Sequence, residues 1–420
     1  MTEPIRGAVA DDFTGATDLA GNWAAQGLRT SVLLGVPPAD EKFDPADDEA
    51  VVVALKTRSA SPDHARDQSV RAGRFLLDLG CGQLYDKYCS TFDSTPAGNI
   101  GPVADALLEL TGAGRAVVVP SYPDNGRTVY QGHLFVGRAP LHESPMRNHP
   151  LTPMLDSDVT RLLAPQTRHE VGLVTLTAVD GGPRALRRAL DEQEQAGARL
   201  VVVDAVRNAD LRTIAEATRS DRMVTGGSGL ALGVPARAGA ARTLESVPGH
   251  RAILSGSAST ATRAQVRRAA GTLPSLRLDV EACRDDLSGY VAHLVDTVAG
   301  WWRREPRRPV LVYSVGSADD LDRSRHLGEE ASSLVESALA HLAVALSEAG
   351  ATELLVAGGE TSGAVMGALG VRRLEVGQPL GPGVSWLRGT TAEGRRHNVV
   401  LKSGNFGHAD LFLTAWEELR

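Results

Sequence analysis

Two adjacent carboxylates stand near the start of the chain, directly after a short apolar segment. Asp11 and Asp12 follow the sequence Gly-Ala-Val-Ala and precede Phe-Thr-Gly-Ala-Thr-Asp, where a helix is expected to begin. Carboxylates at the end of a strand can serve as a general base or as ligands of Mg²⁺. A helix-capping turn is the alternative, although a cap needs one Asp and rarely two in succession. We therefore interpret Asp11 and Asp12 as candidate catalytic residues.

Cations and hydroxyl groups follow the next strand-like segments. One such segment ends in Lys-Thr-Arg-Ser, and a second polar loop begins at Lys87, where seven of nine residues carry a hydrogen-bonding or charged group. Burying so many polar groups without a partner is costly, so these loops suit a polyhydroxylated anion. A solvated turn with Ser and Thr caps is the alternative. The candidate substrate-binding residues here are Arg58, Lys87, Ser90, Thr91 and Asp93.

A further cation lies in the segment from Pro120 to Tyr130. Arg127 follows Asp-Asn-Gly, which is a turn sequence. A guanidinium can bind a carboxylate through two parallel hydrogen bonds, so Arg127 is also a candidate substrate-binding residue. A plain turn that carries a surface arginine is the alternative.

Three turns rich in Gly and Ser in the second half are typical of phosphate binding. They begin at Ser255, Ala357 and Lys402, each at the end of a strand-like run. Gly lets backbone N–H groups approach an anion, and a helix N-terminus favours negative charge. One such turn more often serves packing, but three in one half favour a nucleotide. The candidate nucleotide-binding residues are Ser255, Ser257, Gly358, Gly359, Glu360, Thr361, Ser362, Gly363 and Gly404.

None of these turns fits a widely used nucleotide motif. The chain contains no GxxxxGK[ST], no GxGxxG after its first strand and no protein-kinase signature. A dinucleotide-dependent dehydrogenase is therefore disfavoured, and no set of metal ligands can be recognised. The residues leave two classes open: a two-domain phosphotransferase and a non-catalytic sugar-acid sensor. The paired carboxylates favour the enzyme, because a sensor needs no base beside a substrate hydroxyl.

Short β-branched runs alternate with longer amphipathic segments, which is the rhythm of parallel sheets covered by helices. A length of 420 residues fits two domains. The segment Val234–His250 is rich in Ala, Gly and Pro and has no periodicity, so the boundary is placed there. We predict an α/β fold of two domains, each a mainly parallel sheet covered by helices. Residues 1–235 form the sugar-acid substrate-binding domain and residues 250–420 the nucleotide-binding domain.

The polar turns gain importance from their position after strands. In open parallel sheets ligands bind where strands end and helices begin. The predicted strands are Gly7–Ala10, Thr30–Leu34, Val51–Leu55, Leu84–Tyr85, Ala116–Val119, Val171–Leu176, Leu200–Val203, Ala252–Leu254, Leu276–Val280, Val310–Ser314, Leu354–Val356 and Val399–Leu401.

Composition excludes several other classes of protein. The formal net charge is −7 and aromatic residues make up 4%, so neither nucleic acid nor base stacking is expected. The longest apolar runs are the length of a strand, which argues against a membrane partner. Three cysteines without metal-ligand or paired spacing fit a reducing compartment. With no signal-peptide pattern at the N-terminus, a cytoplasmic location is expected, and a homodimer is left open.

Seven segments in sequence order carry a resemblance to a known family. They are ADDFTGATDLA, KYCSTFDSTPAGNIGPV, GRTVYQGHLFV, MRNHPLTPM, TGGSGLA, GGETSGAV and LKSGNFG, and they run from residue 10 to about residue 407. Together they resemble the four-carbon acid sugar kinase family. Each segment is modest alone, but the whole ordered set is specific.

The resemblance implies a substrate-binding domain followed by a nucleotide-binding domain. It implies ATP-dependent phosphorylation at the terminal C4 hydroxyl of a four-carbon sugar acid. For that reaction we expect Mg²⁺ to bridge the phosphates. The expected acid is 3-oxo-tetronate, and D-threonate and D-erythronate are the alternatives. The residues leave Asp11, Asp12 and Asp93 as possible bases. Successive residues leaving a strand point to opposite sides, so one of the pair should face the substrate and the other should cap the turn or order the loop. We expect Asp12 to be the base, because it lies further from the strand end and nearer the helix N-terminus where the phosphoryl group could arrive.

Overall fold

The computed structural model describes residues 5–38, 43–45, 47–149, 152–236, 242–317, 319–320, 330–391 and 393–419. The chain divides into two compact units, Met1–Ala241 and Arg242–Arg420. Residues 237–241 of the expected linker and residues 150 and 151 lie outside the described residues. Each unit contains strands and helices in alternation, so the predicted α/β class is confirmed.

Eight parallel strands form the sheet of the first unit, in the order β2-β3-β1-β4-β11-β5-β10-β9. A small antiparallel sheet joins β6, β7 and β8. The strands are β1 (Arg6–Ala10), β2 (Thr30–Leu34), β3 (Ala50–Ala54), β4 (Gln83–Lys87), β5 (Ala116–Val119), β6 (Arg127–Tyr130), β7 (His133–Val136), β8 (Ala139–Pro140), β9 (Glu170–Val174), β10 (Ala198–Val203) and β11 (Met223–Gly226).

Helices cover this sheet because its strands are apolar on both faces. All five residues of β3 are buried, as parallel strands between helical layers require. The helices are α1 (Phe13–Ala25), α2 (Pro62–Asp78), α3 (Ile100–Thr111), α4 (Val159–Leu163), α5 (Leu176–Asp180), α6 (Pro183–Gln195) and α7 (Asn208–Ala217). In α2 the buried residues recur every three or four positions, at Ala65, Ser69, Ala72 and Leu76.

The second unit has five parallel strands and an antiparallel extension, in the order β13-β14-β12-β15-β18-β17-β16. Its strands are β12 (His250–Ser255), β13 (Ser275–Arg277), β14 (Val310–Tyr313), β15 (Ala351–Ala357), β16 (Arg373–Gly381), β17 (Val384–Thr390) and β18 (Arg396–Lys402). Its helices are α8 (Thr260–Ala270), α9 (Val280–Asp285), α10 (Leu287–Trp302), α11 (Glu330–Glu348), α12 (Gly359–Ala368) and α13 (Leu411–Thr414). Within the described ranges no helix has the length and apolar character to span a membrane.

Four features differ from the sequence prediction. The predicted strand Leu276–Val280 ends at Arg277, because Asp279 caps a helix that begins at Val280. The antiparallel strands β16 and β17 were not predicted, because the two prolines and four glycines between Arg373 and Thr390 are typical of turns. The short strand β11 and the small sheet also lacked a clear apolar alternation. The predicted strand Val171–Leu176 ends early, since the Leu176 amide donates to Asp204 Oδ2 and begins α5 instead.

The strand register places the polar turns of each unit along one edge of its sheet. In the first unit Ala10 lies opposite Ala54 and Lys87. In the second unit Ser255 lies opposite Ala357, and Ala357 lies opposite Lys402. The residues that follow these strands therefore meet, as the sequence analysis required of a ligand site.

Candidate active site

The two carboxylates at the end of β1 share one cation. Asp12 is the N-cap of α1 and accepts hydrogen bonds from the Gly15 amide (3.1 Å) and the Thr14 hydroxyl (2.8 Å). Arg58 donates to Asp11 at 2.7 and 2.8 Å and to Asp12 at 2.6 Å. The expectation that the two side chains point to opposite sides is wrong, because the strand ends here and the capping conformation brings Asp12 back towards Arg58.

Neighbouring charges determine the ionisation states of Asp12 and Arg58. Burial acts to raise the pKa of Asp12, but Arg58, Lys87 and the two capping hydrogen bonds outweigh it and hold the pKa well below its ordinary value. Burial likewise acts to lower the pKa of Arg58, and Asp11 and Asp12 reverse that effect. Asp12 and Arg58 are therefore both ionised at neutral pH.

Lys87 ends β4 and lies beside the capping turn. Its side chain is almost fully buried, and its Nζ is 3.6 Å from Asp12 Oδ1. A Cβ atom on Gly15 would overlap this Nζ, so the first turn of α1 admits the ammonium only because residue 15 is glycine. Arg58, in the turn after β3, and Lys87, at the end of β4, thus approach the same carboxylate.

The loop after Lys87 extends the polar lining. The Thr91 hydroxyl donates to Asp93 at 2.6 Å and lies 2.9 Å from the sulfur of Cys89. Burial raises the pKa of the Cys89 thiol to about 11, Asp93 adds to the effect, and Arg58 and Lys87 oppose it. Cys89 in this loop therefore lies close enough to Arg58 and Lys87 to interact with their charges. Ser90, like Asp93, is half-buried.

Asn99 holds the turn that carries Arg58. Its amide donates to the carbonyls of Thr57, Arg58 and Ala60 at 2.7, 3.1 and 2.9 Å. The sequence analysis did not single out Asn99. The Gly-Asn-Ile-Gly segment before α3 was visible, but its partners lie about forty residues earlier in the chain, as the separations of 39 to 42 positions show.

Arg127 lies apart from this cluster. It begins β6, and its Nη1 donates to the carbonyl of Asn125. Its Nε is buried and has no hydrogen-bond partner among the described residues. Within the same residues no hydrogen bond or ion pair joins Arg127 to Arg58, Lys87 or Asp12. The structure therefore brings Asp11, Asp12, Arg58 and Lys87 together and leaves Arg127 outside their contacts.

Asp18 is a buried carboxyl that the sequence analysis did not select. It accepts a hydrogen bond from the Tyr122 hydroxyl at 3.2 Å, and the same hydroxyl is 3.1 Å from Asn22 Oδ1. Burial raises the pKa of Asp18 to about 6, although Lys87, Ser228 and Tyr122 oppose the rise. Asp18 and Asn22 are buried and four residues apart on α1, a spacing that predicts one shared polar face.

The three turns of the second unit are joined through their backbones. The amides of Gly256 and Ser257 donate to the carbonyl of Ala357 at 3.0 and 3.2 Å. The amide of Gly358 donates to the carbonyl of Lys402 at 2.9 Å. Each predicted turn thus contacts the next one along the strand edge.

Two glycines allow this close approach. Gly358 has φ 129°, in the region that favours glycine, and a Cβ there would lie 2.9 Å from the Thr361 hydroxyl. A Cβ on Gly404 would lie 2.7 Å from Ser257 Oγ. The first residues of α12 follow Gly358 directly: Gly359, Glu360, Thr361, Ser362 and Gly363. Ser255, at the end of β12, is fully buried, and its hydroxyl has no partner among the described residues.

Comparison with known proteins identifies both units. The sugar-binding N-terminal domain family matches residues 6–234, and the nucleotide-binding C-terminal domain family matches residues 252–412. A 3-oxo-tetronate kinase of Burkholderia multivorans is 43% identical over 424 residues, covering 98% of this chain and 96% of the relative. One of Pseudomonas fluorescens is 43% identical over 427 residues, covering 99% and 97%. The chain belongs to the four-carbon acid sugar kinase family.

Two solved structures share the fold of this family member. A Salmonella typhimurium LT2 protein, provisionally named a tRNA synthase, has a TM-score of 0.90 at 38% identity and covers 99% of each chain. A Haemophilus influenzae protein has a TM-score of 0.79 at 38% identity, covering 98% of this chain and 99% of its own. The resemblance stated from the sequence is thereby confirmed.

Membership in the family makes the chain a phosphotransferase with an alcohol acceptor, and the sensor interpretation is set aside. The nucleotide-binding domain implies ATP as the phosphoryl donor. Among the residues that the structure describes, no three His, Cys, Asp or Glu side chains form a group that could hold a metal ion. A kinase of this family can still use Mg²⁺ here, because that ion is commonly bound by substrate phosphates and water.

The raised pKa of Asp18 predicts a pH-dependent stability. A shift from 3.8 to about 6 corresponds to about 3 kcal/mol. The folded state favours the protonated carboxyl of Asp18. Its contribution to the free energy of unfolding is therefore fully present below about pH 4 and is lost as the pH rises through about 6. We expect the free energy of unfolding to fall more steeply over this range in the wild type than in Asp18→Asn, whose amide oxygen still accepts from Tyr122.

Urea unfolding at several pH values between about 4 and 7 measures this difference. Asp63→Asn is the control, because the Asp63 side chain on α2 is 86% exposed and its loss leaves the pH dependence unchanged. Equal slopes in the wild type and Asp18→Asn would contradict the assignment.

Proposed function

We propose that the protein transfers the γ-phosphoryl group of ATP to the C4 hydroxyl of 3-oxo-tetronate, giving 3-oxo-tetronate 4-phosphate and ADP. The observation that carries the proposal is the cluster of Asp11, Asp12, Arg58 and Lys87 at the strand edge of the sugar-binding unit. The relatives named above support the choice of acid. D-threonate and D-erythronate are the alternative acceptors.

The substrate carboxylate requires a cation that is not already neutralised. Arg58 makes charged hydrogen bonds to two carboxylates, whereas Lys87 lies 3.6 Å from one carboxylate oxygen, that of Asp12. We therefore assign the substrate carboxylate to Lys87 and to Arg127, whose Nε is unpartnered among the described residues. Arg58 keeps Asp11 and Asp12 in place. Ser90, Thr91 and Asp93 serve the hydroxyl groups, because their side chains offer both donors and acceptors.

Asp12 is the group proposed to accept the proton of the substrate hydroxyl. The hydroxyl oxygen forms the new bond to the γ-phosphorus, the bond from that phosphorus to the β,γ-bridging oxygen breaks, and the proton passes to the carboxylate. A carboxylate with a lowered pKa is a weak base. Phosphoryl transfer has a loose transition state that asks for positioning more than for a strong nucleophile, so a weak base that orients the hydroxyl is sufficient.

The nucleotide phosphates are assigned to the three joined turns of the second unit. The amides at the start of α12, from Gly358 to Gly363, supply donors at a helix N-terminus. Ser255, Ser257 and Gly404 border the same strand edge. Mg²⁺ would neutralise charge between the phosphates, with Glu360 the acidic side chain in the first turn of α12.

The proposed function is tested by ADP release in a coupled assay with a panel of C4 acids. We expect turnover with 3-oxo-tetronate to exceed that with D-threonate and D-erythronate in kcat/KM. A clear preference for either alternative would reassign the acid but keep the reaction. No ADP release with any acid of the panel would contradict the proposal.

Asp12→Asn tests the assignment of the base. Asn is as good an N-cap as Asp, so the start of α1 is retained while the proton acceptor is removed. General-base catalysis is commonly worth about 10²–10⁴-fold, and we expect kcat to fall by that order with the Kd for ATP unchanged. Asp93→Asn is the matched variant, and a larger loss there than in Asp12→Asn would move the role to Asp93.

Arg127→Ala tests the cation that stands apart from the cluster. Loss of charge-assisted hydrogen bonds costs about 1.5–3 kcal/mol, which raises the KM for the sugar acid by roughly ten- to a hundredfold. Arg138→Ala removes an exposed arginine between β7 and β8 and should leave this KM unchanged. If both variants behave as the wild type, Arg127 serves only the turn that contains Asn125.

Gly358→Ala tests the nucleotide turn. The new Cβ would occupy a φ of 129° that L residues rarely adopt and would press on Thr361, so the turn must change its path. We expect the KM for ATP to rise at least about tenfold with the KM for the acid unaltered. Gly367→Ala, in the same helix, meets no atom within 4 Å and is the control. Normal ATP kinetics in Gly358→Ala would remove the turn from the site.

A further inference from the structure

Lys402 is a fully buried lysine whose partners are all neutral. It is the last residue of β18, and its exposed fraction is 0%. Its Nζ donates to the Thr262 hydroxyl at 2.8 Å and to the carbonyls of Ser403 and Gly404 at 2.9 and 3.0 Å. Among the described residues no carboxylate forms an ion pair with it. Lysine is almost never buried in this way without an ionic partner.

Such a charge does not stabilise the fold. Burying an unpaired ammonium costs several kcal/mol even after relaxation, and burial alone lowers the pKa of Lys402 to about 7. An apolar side chain of the same length would remove that cost. The presence of lysine at this position therefore calls for an explanation in binding rather than in stability.

The charged groups on the neighbouring elements do not provide the missing partner. None of them shifts the pKa of Lys402, for which burial is the single cause. Glu353 pairs with Arg251 and Arg307, Arg268 pairs with Asp410, and Arg388 donates to Asn398. The remaining charged side chains on α8 and α12 are Arg263, Arg267 and Glu360.

Lys402 begins one of the three Gly- and Ser-rich turns and is linked to the other two directly or through one residue. Its own carbonyl accepts the Gly358 amide at 2.9 Å. Its ammonium holds Gly404, which packs against Ser257. The Gly404 carbonyl also accepts hydrogen bonds from the hydroxyls of Ser259 and Thr262.

The contacts of Lys402 and the geometry of the peptide unit together fix the direction of the Gly404 and Asn405 N–H groups. In a trans peptide the N–H points away from the C=O of the same unit, and no cis peptide occurs in the described chain. The carbonyls of Ser403 and Gly404 point towards the ammonium. The N–H groups of Gly404 and Asn405 therefore point away from it, and Asn405 is exposed.

We propose that Lys402 is a positioning residue for the nucleotide: it holds the 403–404 turn so that the amides of Gly404 and Asn405 face the phosphates, which in turn compensate its buried charge. The inference rests on the proposed nucleotide function of this unit. It assigns a cation to a site whose other groups are backbone amides, hydroxyls and Glu360. Because the ammonium donates to protein carbonyls, it would not contact the phosphates directly. It would act on them by holding the 403–404 turn in place and by long-range electrostatic attraction.

Lys402→Met is the first test, since Met has a similar length and no charge. We expect the Kd for ADP and the KM for ATP to rise at least tenfold, with the KM for the sugar acid unchanged and thermal stability equal or higher. Arg396→Met removes an exposed cation at the other end of β18 and should change neither constant. A residue with a purely structural role would lower stability without this selective effect on the nucleotide.

Proton uptake on ADP binding is the second test, and it needs no variant. Calorimetry of the wild type near pH 8 in two buffers of different ionisation enthalpy should show uptake of up to about one proton per ADP, because the phosphates favour charged Lys402. Uptake in the wild type that disappears in Lys402→Met supports the proposal. If Lys402→Met does not fold, absence of uptake in the wild type overturns it.

The outcomes separate this inference from the proposed function. If the wild type binds neither ADP nor ATP, the nucleotide assignment of the unit fails and the role of Lys402 fails with it. If the wild type binds ADP and Lys402→Met binds it equally well, the role of Lys402 alone is overturned.

Discussion

The register of the parallel strands is the constraint on which both candidate sites depend. Most residues within the strands are apolar and buried, and the polar turns of both sites lie where the strands end. Ala10, Ala54 and Lys87 end in one row of the first sheet, and Ser255, Ala357 and Lys402 end in one row of the second. The chemistry of each unit is therefore concentrated at the carboxyl edge, as in other open parallel sheets.

The strand edges of the two sheets differ in their charged groups, and the expected ligands account for the difference. The first edge pairs Arg58 and Lys87 with Asp11 and Asp12, which suits a small acid that carries one carboxylate and several hydroxyls. A triphosphate carries much more negative charge, and carboxylates beside it would repel it. The second edge offers backbone amides, hydroxyls and the ammonium of Lys402, which has no ion pair among the described residues. Its one carboxylate in the first turn of α12 is Glu360, whose charge Mg²⁺ would offset.

The fold could be predicted from local patterns, whereas parts of both sites could not. Apolar runs of four or five residues locate most strands, but glycine and proline conceal β16 and β17. The contacts of Asp18 and Lys402 join residues 104 and 140 positions apart, and no local spacing reveals them. The predicted direction of the Asp12 side chain was wrong for a different reason. The alternation of side chains along a strand does not continue into a residue that caps a helix.

The capping role of Asp12 also limits the strength of the base that we propose it to be. A side chain that accepts hydrogen bonds from Gly15, Thr14 and Arg58 has few lone pairs left and a low affinity for protons. Its position is correspondingly fixed, because three elements of the first unit, β1, α1 and the turn after β3, hold it at once. For a reaction whose transition state is loose, a fixed acceptor of modest basicity contributes orientation rather than proton affinity. In the proposed reaction, Asp12 would therefore place the substrate hydroxyl rather than activate it.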